Sequence, residues 1–259
     1  DKIRRSILFD SQADLISYGM GEKSIVEIAD VLASGIAVKD ITFIPGTVYR
    51  TKDVSGIYEP IHLPTYEAMK ADKSLYARSF AMQNANTDCC NGKALIEAYP
   101  NGIYVVQNPP QTPLTTEEMD AIYALPYMRT YHPSYEEKGG VPAIAEIKFS
   151  LISNRGCFGG CAFCTISAHQ GKFINSRSER SILAEVEKVT KMPDFRGYLS
   201  DVGAPSANMY RMGGKNRDAC RKCRRPSCLH PKICPNLDND HQPLLDLYEK
   251  IRAVKGIKK

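Results

Sequence analysis

Apolar residues in the first third of the chain recur with two different periods. After residue 22 they fall at helical spacing, which predicts an amphipathic helix. Gly35 is well placed to end this helix, because glycine readily adopts the left-handed conformation common after a last turn. The predicted apolar face is Ile25, Ile28, Ala29 and Leu32. Other apolar runs predict strands at residues 14–18, 41–44, 48–50 and 104–106, and short helices at residues 65–71 and 94–98.

The second half of the chain predicts a strand, a loop, a helix and a second strand, in that order. Ile147, Phe149 and Leu151 alternate with polar residues, which is typical of a strand with one apolar face. The second predicted strand is residues 195–202. Such a βαβ unit is normally parallel, and α/β folds carry their chemistry at the carboxyl ends of their strands. The helix has Ser178 as a suitable N-cap and Ile182, Leu183, Val186 and Val189 on one face.

Changes in composition divide the chain into three parts. Residues 1–107 predict an α/β domain. Residues 108–144 are rich in proline and glycine and predict a connector, in which Thr115 or Thr116 caps a short helix. Residues 145–259 hold the βαβ unit and a cysteine-rich insertion at residues 211–236.

The composition is that of a folded protein outside the membrane. The 259 residues are 43% hydrophobic and 24% charged, which argues against global disorder. No apolar run approaches the roughly 18 residues of a membrane-spanning helix, and no leader marks the chain for secretion. Because the sequence starts at Asp1 and ends inside a predicted domain, we expect an internal piece of a longer, cytoplasmic protein.

The charge is small overall but unevenly distributed. A net charge of +5 does not by itself imply a nucleic-acid partner. Arginines in a local basic run can bind an acidic substrate or an RNA phosphate, but such a run is more often a solvated surface. The run here contains Arg211, Lys215, Arg217, Arg221, Lys222, Arg224 and Arg225.

Three of the nine cysteines, Cys157, Cys161 and Cys164, follow the first strand of the βαβ unit with the spacing C-x3-C-x2-C. Clustered cysteines in a chain without a leader favour metal ligation in a reducing compartment over a disulfide framework. Three thiolates this close can hold three irons of a cubane cluster and leave the fourth iron open. A zinc site is the weaker alternative, because it would need a fourth ligand from His169 or from a distant residue.

The residues around these cysteines suit a cluster. Gly156, Gly159 and Gly160 allow the backbone to wrap closely around an inorganic core. Phe163, just before the third cysteine, is able to pack against a flat adenine ring.

Several short segments along the chain match one known family. They are residues 18–22 (YGMGE), 108–110 (NPP), 125–127 (LPY), 140–144 (GVPAI), 154–161 (NRGCFGGC) and 200–205 (SDVGAP). Through these segments and the cysteine spacing, essentially the whole chain resembles the YgiQ-type radical SAM (S-adenosylmethionine) proteins.

The resemblance implies a cofactor set and a reaction. The three loop cysteines would hold a [4Fe–4S] cluster whose open iron chelates the amino and carboxylate groups of SAM. Reduction by an electron donor such as flavodoxin or ferredoxin would cleave SAM to methionine and a 5′-deoxyadenosyl radical, which abstracts a hydrogen atom. Gly203, Ala204 and Pro205 correspond to a glycine-rich SAM-binding segment, although the match is partial because one glycine alone precedes Ala204.

The resemblance also implies an α/β fold class. The expected architecture is the end of a Rossmann-like N-terminal domain followed by the first βα units of an incomplete radical SAM (β/α) barrel. Cobalamin is not supported, because the sequence has no D-x-H-x-x-G motif. The substrate and product are not identified by the resemblance.

The remaining cysteines leave alternatives open. Four of them, with His230 and His241 nearby, offer enough ligand atoms for zinc or for a second iron–sulfur cluster. The alternative is an insertion loop that carries four reduced thiols. These four are Cys220, Cys223, Cys228 and Cys234. Cys89 and Cys90 are adjacent, and vicinal cysteines are poor partners for one metal, so we expect ordinary loop thiols.

Two further function classes compete with a radical SAM enzyme. One is a metal-dependent nucleic-acid-binding module built on residues 211–234, and a radical enzyme that modifies RNA would combine the two hypotheses. The other is an electron carrier, whose cluster would have four cysteine ligands and no spectral response to SAM. Iron content and a response to SAM favour the enzyme, whereas zinc with salt-sensitive RNA binding favours the module.

Overall fold

Short strands and helices alternate along the chain. The computed structural model describes residues 2–259. The first half contains α1 (Ile7–Asp10), β1 (Leu15–Ser17), α2 (Glu22–Ala33), β2 (Thr47–Thr51), β3 (Ile61–His62), α3 (Tyr66–Ala71), α4 (Lys73–Asn84), β4 (Leu95–Tyr99), β5 (Ile103–Gln107) and α5 (Thr116–Ala124). The second half contains α6 (Ile144–Ile147), β6 (Ser150–Ile152), β7 (Asn154–Arg155), α7 (Ile166–Gln170), β8 (Asn175–Ser176), α8 (Glu179–Thr190), β9 (Asp201–Gly203), β10 (Gly213–Gly214), α9 (Arg217–Lys222), β11 (Leu237–Asp238) and α10 (Gln242–Arg252).

The chain divides into two units, each built from more than one segment. Unit 1 runs to Pro113 and adds Gly159–Lys172 and Asn216–His230. Unit 2 consists of Leu114–Phe158, Phe173–Lys215 and Pro231–Lys259. The domain boundaries expected from the sequence stay a prediction.

Unit 1 is organised around a five-stranded sheet with the order β1-β2-β5-β4-β3. The β3–β4 pair is parallel, and the other three pairs are antiparallel. At the centre Val106 pairs with Tyr49 on one side and with Ile96 on the other, and these three side chains form the core together with Ala94. A Rossmann fold has a mostly parallel sheet. The mixture of helices and strands is therefore confirmed, but the Rossmann-like expectation for this region is wrong.

Two of the expected elements in unit 1 are also wrong. Residues 94–98 form strand β4 instead of a helix, because Leu95 and Ile96 are buried within the sheet and this burial outweighs the local helix propensity. Residues 41–44 are not a strand. Ile41 and Ile44 instead pack against Ile28 in a small separate core.

Helix α2 exists where it was expected, but its buried face differs from the prediction. Ile28 is buried, whereas Ile25 and Leu32 are 59% and 44% exposed. The helix ends at Ala33, and Gly35 follows in the left-handed conformation with a φ of +92°. The expected strands at residues 48–50 and 104–106 are confirmed as β2 and β5.

Unit 2 contains the predicted βαβ arrangement. Strands β6 and β9 pair in parallel, with Leu151 opposite Val202. Helix α8 begins after Ser178, whose hydroxyl accepts the N–H of Ser181, as the N-cap prediction requires. The core of this unit combines α8 with α10, which the sequence analysis did not predict. Its buried residues are Leu151, Ile182, Val186, Tyr210, Leu244, Leu247 and Ile251.

The two strands of this unit are shorter than expected. Ile147 ends helix α6 and is exposed, so that β6 starts at Ser150. Strand β9 likewise starts at Asp201. Phe195, at the start of the expected strand, packs instead edge-on against Phe149, with 5.2 Å between ring centroids.

A buried ion pair joins the elements of unit 2. The Arg177 side chain is 1% exposed, and its Nη1 lies 2.5 Å from Glu185 Oε2 on α8. The same nitrogen donates to the carbonyl of Ile152 at the end of β6, at 3.0 Å. The guanidinium also lies 4.2 Å from the ring centroid of Tyr123 on α5. Glu185 has a second partner in Arg129. One side chain therefore contacts a strand and two helices.

We predict that Arg177→Met lowers the free energy of unfolding by about 3–5 kcal/mol. The substitution leaves the partly buried Glu185 with Arg129 as its remaining cation and removes a donor from the Ile152 carbonyl. Urea unfolding followed by circular dichroism measures the change. The matched control is Arg180→Met, at an exposed position of α8, which should stay within about 0.5 kcal/mol of the parent protein. Equal losses in the two variants would contradict this prediction.

Candidate metal centre

The C-x3-C-x2-C loop connects β7 to α7. Gly156 separates β7 from Cys157, and Thr165 separates Cys164 from α7. Cys157 and Cys164 are half-buried and Cys161 is exposed, and within residues 2–259 none of the three forms a disulfide. Cys157 belongs to unit 2, whereas Cys161 and Cys164 belong to unit 1.

The backbone around position 156 accommodates only glycine. Its φ is +90°, and a Cβ added there would lie 2.0 Å from the backbone oxygen of Phe173 in the same unit. No side chain fits at that distance. The glycine that precedes the first cysteine therefore allows two backbone segments of unit 2 to pack directly against each other.

The start of the loop is tied to the end of β9. The Ser153 N–H donates to the carbonyl of Gly203 at 2.6 Å, and Ser153 Oγ lies 3.0 Å from the same oxygen. After β9, the hydroxyl of Ser206 donates to the carbonyl of Gly156 at 3.1 Å. Within unit 2, the segment Gly203-Ala204-Pro205 is thus held beside the residues that lead into Cys157.

The side-chain amide of Asn154, just before the cysteine loop, has an unsatisfied N–H group. The residue is fully buried, and its Oδ1 lies 2.8 Å from Ser153 Oγ. Its Nδ2 has no hydrogen-bond partner among residues 2–259. A buried N–H group without a partner carries a desolvation cost of about 1–3 kcal/mol, which a bound polar ligand would recover.

In unit 1, the second part of the loop rests on the segment around Ser227. The Ser227 hydroxyl donates to the carbonyl of Gly159 at 2.7 Å and accepts N–H groups from Leu229 and His230. A Cβ added to Gly160 would lie 2.7 Å from the backbone oxygen of Pro226. Part of the cysteine-rich insertion therefore supports the loop that carries Cys161 and Cys164.

The other residues considered for the site in the sequence analysis are mostly exposed to solvent. Phe163 is 92% exposed, which leaves its ring free to cover a ligand. His169 is exposed on α7. The seven basic residues of the run are exposed except for the half-buried Arg225, as the residues of a solvated surface would be.

The cysteines expected to form a second metal site are divided between the units. Cys220, Cys223 and Cys228 lie in unit 1, whereas Cys234 lies in unit 2. Throughout residues 2–259, the group of three ligand atoms within 4.8 Å of one another is Asp88, Cys89 and Cys90. The C-x3-C-x2-C cysteines do not form such a group, but the thiolates of a cubane bind different irons and need not approach so closely.

The pair Cys89 and Cys90 is more compact than the sequence analysis expected. Their sulfur atoms lie 3.8 Å apart. Burial raises the pKa of the Cys89 thiol to about 12, and the neighbouring Cys90 adds to the effect. The Cys89 thiol is therefore protonated at neutral pH unless a cation displaces the proton.

The sequence analysis missed the residues that hold the loop in place. Ser153, Asn154, Ser206 and Ser227 act through hydrogen bonds to distant backbone groups. The one available signal was that Asn154 belongs to the segment NRGCFGGC, which the resemblance already singled out.

Known proteins match the chain along its whole length. Residues 1–150 match a family model described as Radical SAM N-terminal. A UPF0313 protein from Methanocella arvoryzae is 48% identical over 258 residues, which cover 100% of this chain and 43% of the relative. A UPF0313 protein from Clostridium botulinum is 46% identical over 259 residues, with a coverage of 100% and 40%. The chain belongs to the YgiQ-type radical SAM family.

The curated relatives from the YgiQ-type family are longer than this chain. The chain spans about two fifths of the length of the curated relatives that it matches. The family model ends at residue 150, before Cys157, while the relatives align across the cysteine loop as well. In residues 2–259, no helix is both long enough and apolar enough to span a membrane.

We predict that Gly156→Ala destabilises unit 2 by about 3 kcal/mol. The new Cβ would overlap the Phe173 carbonyl in addition to straining a positive φ. The matched control is Gly139→Ala, at a glycine of unit 2 with a φ of +86° and no atom within 4 Å of an added Cβ. That variant should lose about 1 kcal/mol, the cost of the strain without the overlap. Urea unfolding measures both variants, and equal losses would contradict the proposed close packing.

Proposed function

We propose that this chain carries the cluster-binding and SAM-binding part of a radical SAM enzyme. Cys157, Cys161 and Cys164 would hold a [4Fe–4S] cluster, and SAM would bind beside Gly203. The observation that carries the proposal is the hydrogen bonding within unit 2. It fixes the end of β9 against the residues that lead into the first cysteine, at the carboxyl ends of two parallel strands.

The donor set of the loop suits this cofactor. Three cysteines that form no disulfide within residues 2–259 would supply three thiolates for three irons, and the fourth iron would then stay open for a ligand. The buried Asn154 amide, whose Nδ2 has no partner among residues 2–259, supplies an unused polar group next to the loop. Serine or alanine in place of the cysteines would offer no comparable ligand for iron.

When bound, the cluster would supply the one-electron reduction that cleaves SAM to methionine and a hydrogen-abstracting 5′-deoxyadenosyl radical, with flavodoxin or ferredoxin as the source of the electron. The residues of this chain bind and orient the reactants. The methionine part of SAM would lie beside Gly203, where a Cβ would meet Asn208 Oδ1 at 3.0 Å, and the exposed Phe163 ring is available to the adenine.

The finer proposal on architecture is that residues 145–259 begin a radical SAM (β/α) barrel. β6 and β9 would be its first two parallel strands, with α8 as the helix between them. The chain covers about two fifths of its relatives, so that further strands and the substrate-binding residues would lie in the remainder of such a protein. No residue of this chain is assigned to the substrate.

Electron paramagnetic resonance of the full-length protein tests the proposal. After anaerobic reconstitution with iron and sulfide and reduction, we expect a [4Fe–4S]⁺ signal whose g values shift when SAM is added. Cys161→Ala should abolish the signal, because the cluster loses one of three protein ligands. Cys234→Ala is the matched control and should retain both the signal and its response to SAM.

Two results would contradict the proposal. If the parent protein assembles a cluster whose resonance signal does not change when SAM is added, the protein would be an electron carrier. If zinc binds and no iron–sulfur cluster assembles, the metal-dependent nucleic-acid-binding module becomes the better hypothesis, and salt-sensitive RNA binding would then be the property to measure.

A further inference from the structure

The loop that carries Cys89 and Cys90 is closely fixed by its own hydrogen bonds. Asp88 Oδ1 accepts the N–H of Cys90 at 2.7 Å and the N–H of Asn91 at 3.3 Å. At its base, Asn86 exchanges two hydrogen bonds with the backbone of Lys93, at 2.6 and 2.9 Å. The two vicinal thiols therefore extend from a turn with a defined conformation.

The distance between the two sulfur atoms matches one particular ligand geometry. Two thiolates on one tetrahedral zinc ion, each about 2.3 Å from the metal, lie about 3.8 Å apart. Cys89 Sγ and Cys90 Sγ are 3.8 Å apart. Thiolates that bind separate irons of a cluster lie farther apart, and the sulfur atoms of a disulfide are about 2 Å apart. The spacing is that of two thiols in hydrogen-bonding contact, and it is also the spacing that two ligands of a single zinc ion require.

A second pair of cysteines lies against the same turn. The side chain of Asn91 donates to the carbonyl of Arg221 at 2.7 Å, between Cys220 and Cys223. Lys172 joins the two segments from another side: it forms an ion pair with Asp88 and donates to the carbonyl of Cys223 at 2.5 Å. All these residues belong to unit 1.

The Cys220-x2-Cys223 segment has the compact form of a metal-binding turn. The N–H of Cys223 donates to the carbonyl of Cys220 at 3.1 Å, at the end of helix α9, and both cysteines are half-buried. We propose that Cys89, Cys90, Cys220 and Cys223 are the ligands of a structural zinc site in unit 1. Within residues 2–259 neither sulfur atom of the second pair lies within 4.8 Å of both sulfur atoms of the first pair, so the proposed site requires the side chains of Cys220 and Cys223 to rotate toward the ion.

The charges around the proposed site suit four thiolates. Zinc with four thiolates carries a net charge of −2, which nearby cations stabilise. Lys172 contacts both segments, and the cysteines of the second pair lie within the basic run of residues 211–225. Both oxygens of Asp88 are engaged, with backbone N–H groups and with Lys172, so Asp88 positions the loop and is not counted as a ligand. Cys228 and Cys234 are left out of the set and serve as the control pair.

Zinc binding by the full-length protein tests this ligand set. Cys157, Cys161 and Cys164 are first replaced by alanine, so that thiols of the cluster loop do not compete. The reduced protein is then titrated anaerobically with Zn²⁺ against a chromophoric chelator. We expect one tightly bound zinc per chain, which is lost in the double variants Cys89→Ser/Cys90→Ser and Cys220→Ser/Cys223→Ser. The matched control Cys228→Ser/Cys234→Ser should bind zinc as tightly as the parent.

Zinc X-ray absorption of the parent protein tests the site without relying on the folding of any variant. Four sulfur ligands at about 2.3 Å would support the proposal. Fewer than four sulfur ligands would overturn it, as would an undiminished zinc content in Cys89→Ser/Cys90→Ser. Absence of zinc together with a Cys89–Cys90 disulfide in protein isolated without reductant would also overturn it, and would identify the pair as redox-active thiols. None of these outcomes bears on the SAM-responsive cluster.

Discussion

The buried ion pair between Arg177 and Glu185 is the interaction on which unit 2 depends. A charged group removed from water must keep its partner and its hydrogen bonds, or else the unit loses several kcal/mol. Arg177 meets this requirement only when α8 supplies Glu185, β6 supplies the Ile152 carbonyl and α5 supplies the ring of Tyr123. The ion pair therefore selects one arrangement of the strand and the two helices.

This arrangement determines where the candidate chemistry begins. Ile152 ends β6, and the next residues, Ser153 and Asn154, connect that end to Gly203 and to the cysteine loop. Within unit 2 the Ser206 hydroxyl binds the carbonyl of Gly156, and within unit 1 the Ser227 hydroxyl binds the carbonyl of Gly159. The glycines allow the close backbone contacts, while the serines provide the specific hydrogen bonds.

The sequence predicted what depends on local chemistry and missed what depends on distant partners. The Ser178 cap, the buried face of α8 and the parallel pairing around it follow from spacing and capping rules, and they are confirmed. The strand at residues 94–98 was missed because burial within a mixed sheet overrides helix propensity. No local pattern distinguishes Arg177, a single arginine before a helix, from a solvated one. For the same reason, adjacency in sequence did not reveal that Asn91, which follows Cys90, donates to the carbonyl of Arg221 between Cys220 and Cys223.

The central claim is that the loop cysteines leave one iron open for SAM. Electron–nuclear double resonance of the reduced full-length protein, with ¹⁵N in the amino group of SAM and ¹⁷O in its carboxylate, tests that claim most directly. We expect hyperfine coupling of both labels to the cluster, because both groups would bind the fourth iron. If equilibrium dialysis shows that SAM is bound while neither label couples to the cluster, the fourth iron is not open to SAM and the claim is wrong.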